Sequence, residues 1–284
     1  MTVAEERTTP AREMEPRVEP SRFSLSHPRS RIAWIRPVVW LPLPVMLVVL
    51  AALWKWGAEE LPYLLPPLSD IGRSLVTEFG YYVDNVMVTL GEAAAGLAMG
   101  FVAAFVLAVL TSELPLVRRA VMPIAVVLNV TPLVAIAPAL VVAFGFGPLP
   151  KLIIAGLICF FPILINTAAG LRSVPQQVLQ VYQTMRAGRV ELLWHVRIPH
   201  ALPFLFAALR IVFPLSIVGA VVAEMSAAGA TGGLGTAISV ASSMNQLAVV
   251  YASILVLAVM GVLLLLVVTL VERRVLHWHD SAHN

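Results

Sequence analysis

Charge is scarce in this sequence. Only 12% of its 284 residues are Asp, Glu, Lys or Arg, against 59% apolar residues, and the mean hydropathy is +0.88. A soluble domain carries roughly twice that share of charge, so composition excludes an ordinary soluble domain and points to a membrane protein. Cysteine is nearly absent. Cys159 stands alone inside an apolar run, which excludes an intrachain disulfide framework and leaves the thiol as a small buried hydrophobe. Catalytic motifs are also missing: there is no Walker A lysine loop, no HExxH, no nucleophile elbow and no pair of carboxylates at a catalytic spacing. Gly145-Phe-Gly147 before Pro148 reads as a turn at a helix end rather than a phosphate cradle. His277 and His279 read as part of a solvated tail rather than a metal site, and His195 and His200 as surface residues. A formal charge of +3 makes no case for nucleic acid as a partner.

What charge there is falls unevenly. Residues 1–36 hold Arg7, Arg12, Arg17, Arg22, Arg29, Arg31 and Arg36, mixed with glutamates and prolines, and read as a disordered cytoplasmic tail. Six apolar segments follow: about Val38 to Trp56, Val83 to Thr111, Val117 to Phe144, Leu152 to Leu171, Leu202 to Met225 and Leu247 to Val271. Each can cross hydrocarbon about 30 Å thick as a helix. The expected architecture is therefore an all-α polytopic membrane protein with six transmembrane helices. Its parts are the tail, a first transmembrane helix at 37–57, an extracytoplasmic linker at 58–82, a transmembrane core at 83–274 and a C-terminal tail at 275–284. In the second segment, Gly96 and Gly100 have the small-xxx-small spacing of closely packed helices. In the third, Pro123, Pro132 and Pro138 predict a kinked or broken helix.

Six crossings put both termini on one side. That side collects the tail arginines, Arg118, Arg119, Arg172, Arg186, Arg189, Arg197, Arg273 and Arg274, while the opposite loops offer Arg73, Lys151 and Lys55. The bias predicts a plasma-membrane protein with cytoplasmic termini. It also places residues 174–203, too polar for a bilayer, in the cytoplasm as the longest loop between spans. Ser173 with Gln176 fits a capping box, and Val178, Val181, Tyr182 and Met185 recur at helical spacing. Arg186, Gly188 and Arg189 break that helix, and Val190, Leu193 and Trp194 form a second short amphipathic run. Taken as pattern alone, the loop is equally an interfacial segment on headgroups or a docking surface for another protein.

Glu92 and Glu224 lie within apolar segments. A mid-bilayer charge costs about 2.5–3.5 kcal/mol on insertion scales, so each is either functional or an ion pair that sets helix register. With no intramembrane lysine or histidine read beside them, they make a poor proton relay. Uphill transport by this chain alone then lacks an energy source, which an external motor at the 174–203 loop would supply. The competing reading is a self-contained secondary carrier or channel that uses Glu92 and Glu224.

The loop residues resemble the permease subunits of bacterial ABC importers, specifically the nitrate/sulfonate/taurine group of binding-protein-dependent inner-membrane components. The family's EAA loop aligns with Gln180-Val181-Tyr182 at EAA, Arg186 at its glycine and Ile198-Pro199 at its Leu-Pro end. Gln180 and Arg186 depart from that pattern. Thr131-Pro132-Leu133, Phe161 through Thr167, and Val222-Ala223-Glu224-Met225 with Gly233-Leu234-Gly235 look like the family's later helices. The resemblance implies a non-catalytic permease of the bacterial inner membrane, working with a second permease copy, two cytoplasmic ATPase subunits and an extracytoplasmic binding protein. It implies no cofactor in this chain, with ATP-Mg on the partner ATPase. It assigns ATPase coupling to Gln180, Tyr182, Met185, Arg186, Gly188, Arg189, Glu191 and Leu193, with Gly188 taking over the turn. It assigns the substrate pathway to Glu92, Asn129, Thr131, Asn166, Glu224 and Met225. Through the acid at Glu92, the resemblance further implies a small heterocyclic or aromatic solute ahead of taurine, another sulfonate or nitrate.

Overall fold

The computed structural model describes residues 42–227 and 232–276, with the side chains of residues 43, 133 and 134 left aside. The arginine-rich tail and His277 to His279 lie outside the described residues. Every regular element among the described residues is helical. The chain divides after Ala51 into two units. In the first, the described residues form the opening of α1 (Pro42–Glu60), whose Val45 to Leu50 are exposed. All that follows concerns the second.

After α1 come α2 (Leu68–Thr77), α3 (Phe79–Glu113) and α4 (Pro115–Val130), then a 3₁₀ turn (Leu133–Ile136) and α5 (Ala137–Phe144). Next are α6 (Pro148–Arg172), α7 (Gln176–Thr184), α8 (Arg189–Ser226), α9 (Leu234–Ser243) and α10 (Leu247–Val275). Four of these, α3, α6, α8 and α10, are long and apolar enough to cross a membrane. The central one is α6. Half of its apolar stretch is buried, against 11% for α10, and its main neighbours are α3 and α8.

Small residues explain why α6 can sit between two helices. A Cβ on Gly100 would overlap the Gly156 carbonyl, and one on Gly96 would meet the Ala155 methyl. On the other flank, a Cβ on Gly219 of α8 would lie 2.9 Å from Ala155 Cα. Backbones this close gain dispersion contact along their length, the packing term available where lipid removes the hydrophobic drive between helices. Leu97, Ala104, Cys159, Leu164, Ala168 and Val212 fill the core along these seams.

The third apolar segment is broken, as its prolines predict. Thr131, before Pro132, is extended with ψ 132°, the conformation a following proline imposes, so α4 stops at Val130. The expected 58–82 linker is mostly structured. Apart from the turn residue Glu78, only the stretch between Glu60 and Leu68 lacks a helix, and it is tied down. Trp54 Nε1 donates to the Pro66 carbonyl (3.1 Å), the Tyr251 hydroxyl donates to the Leu64 carbonyl (3.1 Å), and the two rings meet edge-on at 5.2 Å.

Two local expectations are corrected. The capping box does not form: Ser173 Oγ donates back to the Gly170 carbonyl (2.8 Å), and α7 begins after Pro175 with no side-chain cap. The helix that carries the fifth apolar segment begins well before Leu202. Helix α8 starts at Arg189 and passes through one π-helical turn at Leu193–Arg197, with Pro199 just beyond it. Proline at the head of the following α-helix is tolerated because the wider turn reorganises the carbonyl ladder there.

Candidate coupling surface and buried polar cluster

The segment between α6 and the body of α8 turns its residues outward. No residue of α7 is buried, and Val181, Met185, Val190 and Trp194 are 57%, 73%, 70% and 63% exposed. Large apolar side chains left outside on a polar segment mark a surface that something else covers. Gln180, Met185, Arg186, Gly188, Arg189 and Glu191 are exposed, while Tyr182 and Leu193 are half-buried. Leu193 packs against the core formed by α3, α6 and α8, so it anchors the segment rather than presenting it. The outward apolar residues Val181, Val190 and Trp194 carry more of this surface than the residue assignment from sequence gave them.

The turn itself is built at Arg186. Its φ is +58°, a left-handed conformation. The Ala187 N–H donates to the Tyr182 carbonyl (3.0 Å) and the Arg186 N–H to the Gln183 carbonyl (3.0 Å), the bond pair of a Schellman motif. Gly188, expected to take over the turn, has φ −71° and instead precedes α8 as its N-cap. Thus the left-handed position lies where the aligned family pattern has glycine, and here an arginine occupies it. Both ends of the segment are fastened. Val174 is buried, and Arg197 Nη1 donates to Glu113 Oε1 at 2.6 Å, tying the π turn to the end of α3.

The two intramembrane carboxylates belong to one polar cluster. Asn85, Thr89 and Glu92 recur on a single face of α3. Thr89 Oγ1 donates to Glu224 Oε1 (2.8 Å) and accepts from the Leu234 N–H (2.9 Å). The Gly235 N–H donates to Glu224 Oε2 (2.6 Å), and the Gly233 N–H donates to Asn85 Oδ1 (2.7 Å). Three orphan amides at the head of α9 are thereby satisfied, and a carboxylate sits at the positive end of that short helix. Glycine is needed here. Gly233 has φ +124°, and a Cβ on it would overlap the Glu224 carboxylate.

Lys151 is the correction of greatest consequence. Its place near a segment end suggested an outer loop, yet it is wholly buried in α6 and donates to Glu92 Oε1 at 2.8 Å. Glu92 and Lys151 are also near enough to act electrostatically on Glu224. A buried lysine does therefore accompany the two acids. A second cation missed from sequence, Arg210 of α8, pairs with Glu272 of α10.

The six residues assigned to a pathway do not converge. Glu92 and Glu224 share the cluster, with Glu224 fully buried and both of its oxygens engaged. Asn129 is exposed on α4, and Thr131 donates to the Val127 carbonyl (3.0 Å) where the helix breaks. Asn166 donates to the Pro162 carbonyl of its own helix (2.8 Å), and Met225 is exposed beside Glu224. Missed altogether were Asn85 and Thr89, and Lys151 was read only as a loop charge. The i, i+4, i+7 spacing of Asn85, Thr89 and Glu92 was the available signal.

Known proteins resemble this chain along most of its length. Residues 86–277 match the family described as binding-protein-dependent transport system inner membrane component. A formylaminopyrimidine transport permease of Halalkalibacterium halodurans is 31% identical over 82% of this chain and 94% of its own. A riboflavin transport system permease of Chloroflexus aurantiacus is 30% identical, covering 85% and 91%. The taurine transport system permease of Escherichia coli is 30% identical, covering 88% and 95%. Among solved structures, an inward-facing methionine ABC transporter, MetNI, has the same fold, with TM-score 0.59 at 20% identity over 68% of this chain and 95% of that one. The chain therefore belongs to the binding-protein-dependent transport system inner membrane component family: it is a non-catalytic, multi-pass inner-membrane permease subunit of an ABC importer, which works with a separate ATPase and a binding protein.

Proposed function

We propose that two copies of this chain form the pathway of an importer for a small heterocyclic solute of the pyrimidine or flavin class. Each copy crosses the membrane six times with its termini in the cytoplasm, the broken α4–α5 unit and α1 supplying the crossings beyond α3, α6, α8 and α10. The helix–turn–helix of residues 176–192 is the coupling surface that an ATPase subunit grips. Its carrying observation is the combination of outward Val181, Met185, Val190 and Trp194 with ends fastened by Val174 and the Arg197–Glu113 pair. A surface that is exposed yet anchored can pass a push from outside into α3 and α8.

The solute class is supported by the names of two relatives, a formylaminopyrimidine permease and a riboflavin permease, at identities matching that of the taurine permease. Glu92 supports it differently from the sequence argument. Lys151 neutralises one of its oxygens, while Oε2 remains buried with no hydrogen-bond partner among the described residues. The pair is nearly neutral in sum, which suits an uncharged ring system better than a sulfonate or nitrate anion. Glu224 is reassigned from the pathway to the support of α9.

Proteoliposomes holding the permease, its ATPase and its binding protein test the reading. Labelled aminopyrimidine or flavin should accumulate only with ATP inside and binding protein outside. Accumulation by the permease alone would instead establish a self-contained carrier, and accumulation of taurine but neither heterocycle would overturn the solute class.

A further inference from the structure

A cleft of about 240 Å³ opens between the inner ends of three helices, on the side of the molecule that carries residues 174–203. Its lining includes Thr111 at the end of α3, Arg118 and Met122 near the start of α4, and Ile165, Ala168 and Arg172 at the end of α6. The two arginines come from different helices and feel each other's charge. Neither has an acid within ion-pair distance among the described residues, and nearby Glu113 is committed to Arg197. Thr111 spends its hydroxyl proton on the Ala108 carbonyl, so it adds no donor. The rest of the wall is apolar.

We propose that this cleft binds the phosphate of an anionic phospholipid. Two guanidiniums lining one cleft suit a phosphate diester, since each offers a planar fork of donors to its oxygens. Free phosphate would use the arginines but leave the walls formed by Met122, Ile165 and Ala168 without a partner. A lipid places its glyceryl portion there and keeps its acyl chains in the bilayer. The site relieves the repulsion between Arg118 and Arg172 and pins the end of α6 to the start of α4, directly before the coupling segment begins at Val174. The cytoplasmic leaflet as its location rests on the orientation proposed above; the binding itself does not.

Thermal unfolding of the purified full-length permease in neutral detergent tests this without ATPase or solute, so a failed transport assay and a failed lipid assay are distinct results. Phosphatidylglycerol should raise the melting temperature where phosphatidylcholine does not. The paired substitutions Arg118→Gln and Arg172→Gln should weaken the half-maximal response roughly tenfold or more. Arg119→Gln, on the same helix outside the cleft, should leave it unchanged. Ala169→Phe keeps both charges but fills the cleft, and should abolish the response even if the double variant fails to fold. An undiminished response in either the double or the filled variant overturns the site. An equal response to inorganic phosphate at the same concentration overturns lipid as its occupant.

Discussion

Lys151 on α6 donates to Glu92 on α3 across 2.8 Å, with no exposure of the lysine side chain and 11% of the glutamate's. The two residues lie far apart in sequence, so the pair joins helices that the Gly96, Gly100 and Gly156 seam already brings together. Their arrangement makes the cost of a mutation depend on which partner remains.

Lys151→Met removes the one hydrogen-bond partner that Glu92 has among the described residues and leaves a carboxylate among apolar helices. Breaking a buried pair costs about 3–5 kcal/mol, whereas replacing both members with apolar groups is often neutral. The single variant should melt well below the parent in detergent, and Lys151→Met with Glu92→Leu should recover most of the loss. A double variant no more stable than the single one would show that the pair does not act as a unit.

Glu224 holds the head of α9, and the prediction follows its two oxygens. Glu224→Ala strands the Gly235 N–H and the Thr89 hydroxyl in a buried place, at about 1–3 kcal/mol for each. Glu224→Gln still accepts one bond, so it should cost less. Hydrogen exchange across Leu234 to Ser243 reads this directly: protection should fall in the order parent, Gln, Ala. Gly233→Ala should resemble the alanine variant, because its Cβ collides with the same carboxylate.

Arg186 occupies a left-handed position that costs a non-glycine residue about 1 kcal/mol or more. Arg186→Gly should therefore raise the melting temperature slightly, and Arg186→Val should lower it, since a β-branched side chain tolerates that conformation least. Gly188→Ala, at φ −71°, should leave it unchanged. Equal effects at 186 and 188 would contradict the Schellman geometry.

The helices were legible because their cause is local. Apolar runs of sufficient length, the Gly96–Gly100 spacing and the prolines at 132 and 138 each act within one segment of chain. The buried cluster was not legible, because it depends on which faces meet. Lys151 lies close to the proline-rich start of its helix, and nothing nearby in sequence says that α3 will present a carboxylate to it. Arg186 was read as a departure from a glycine pattern, yet the backbone kept the conformation that the glycine serves. Helix α9 escaped notice because ten residues are too few to span a bilayer. Its amides depend on Asn85, Thr89 and Glu224, which arrive from other helices.

The Arg197–Glu113 pair offers the sharpest test of the proposal that a push on residues 176–192 enters the bundle. Its side chains are 19% and 24% exposed, so solvent screens the pair and its share of stability is about 1 kcal/mol or less. Its position is what matters: it links the π turn at the base of α8 to the last residue of α3, the helix that carries Asn85, Thr89 and Glu92. Glu113→Lys should leave melting nearly unchanged while lowering ATP-driven uptake several-fold and leaving ATPase turnover in the assembled complex largely intact. Adding Arg197→Glu restores an ion pair of reversed sense and should recover uptake. If uptake stays normal in the single variant, any connection between the proposed coupling surface and the helices runs through apolar packing, with Leu193 and Val174 as the next residues to change.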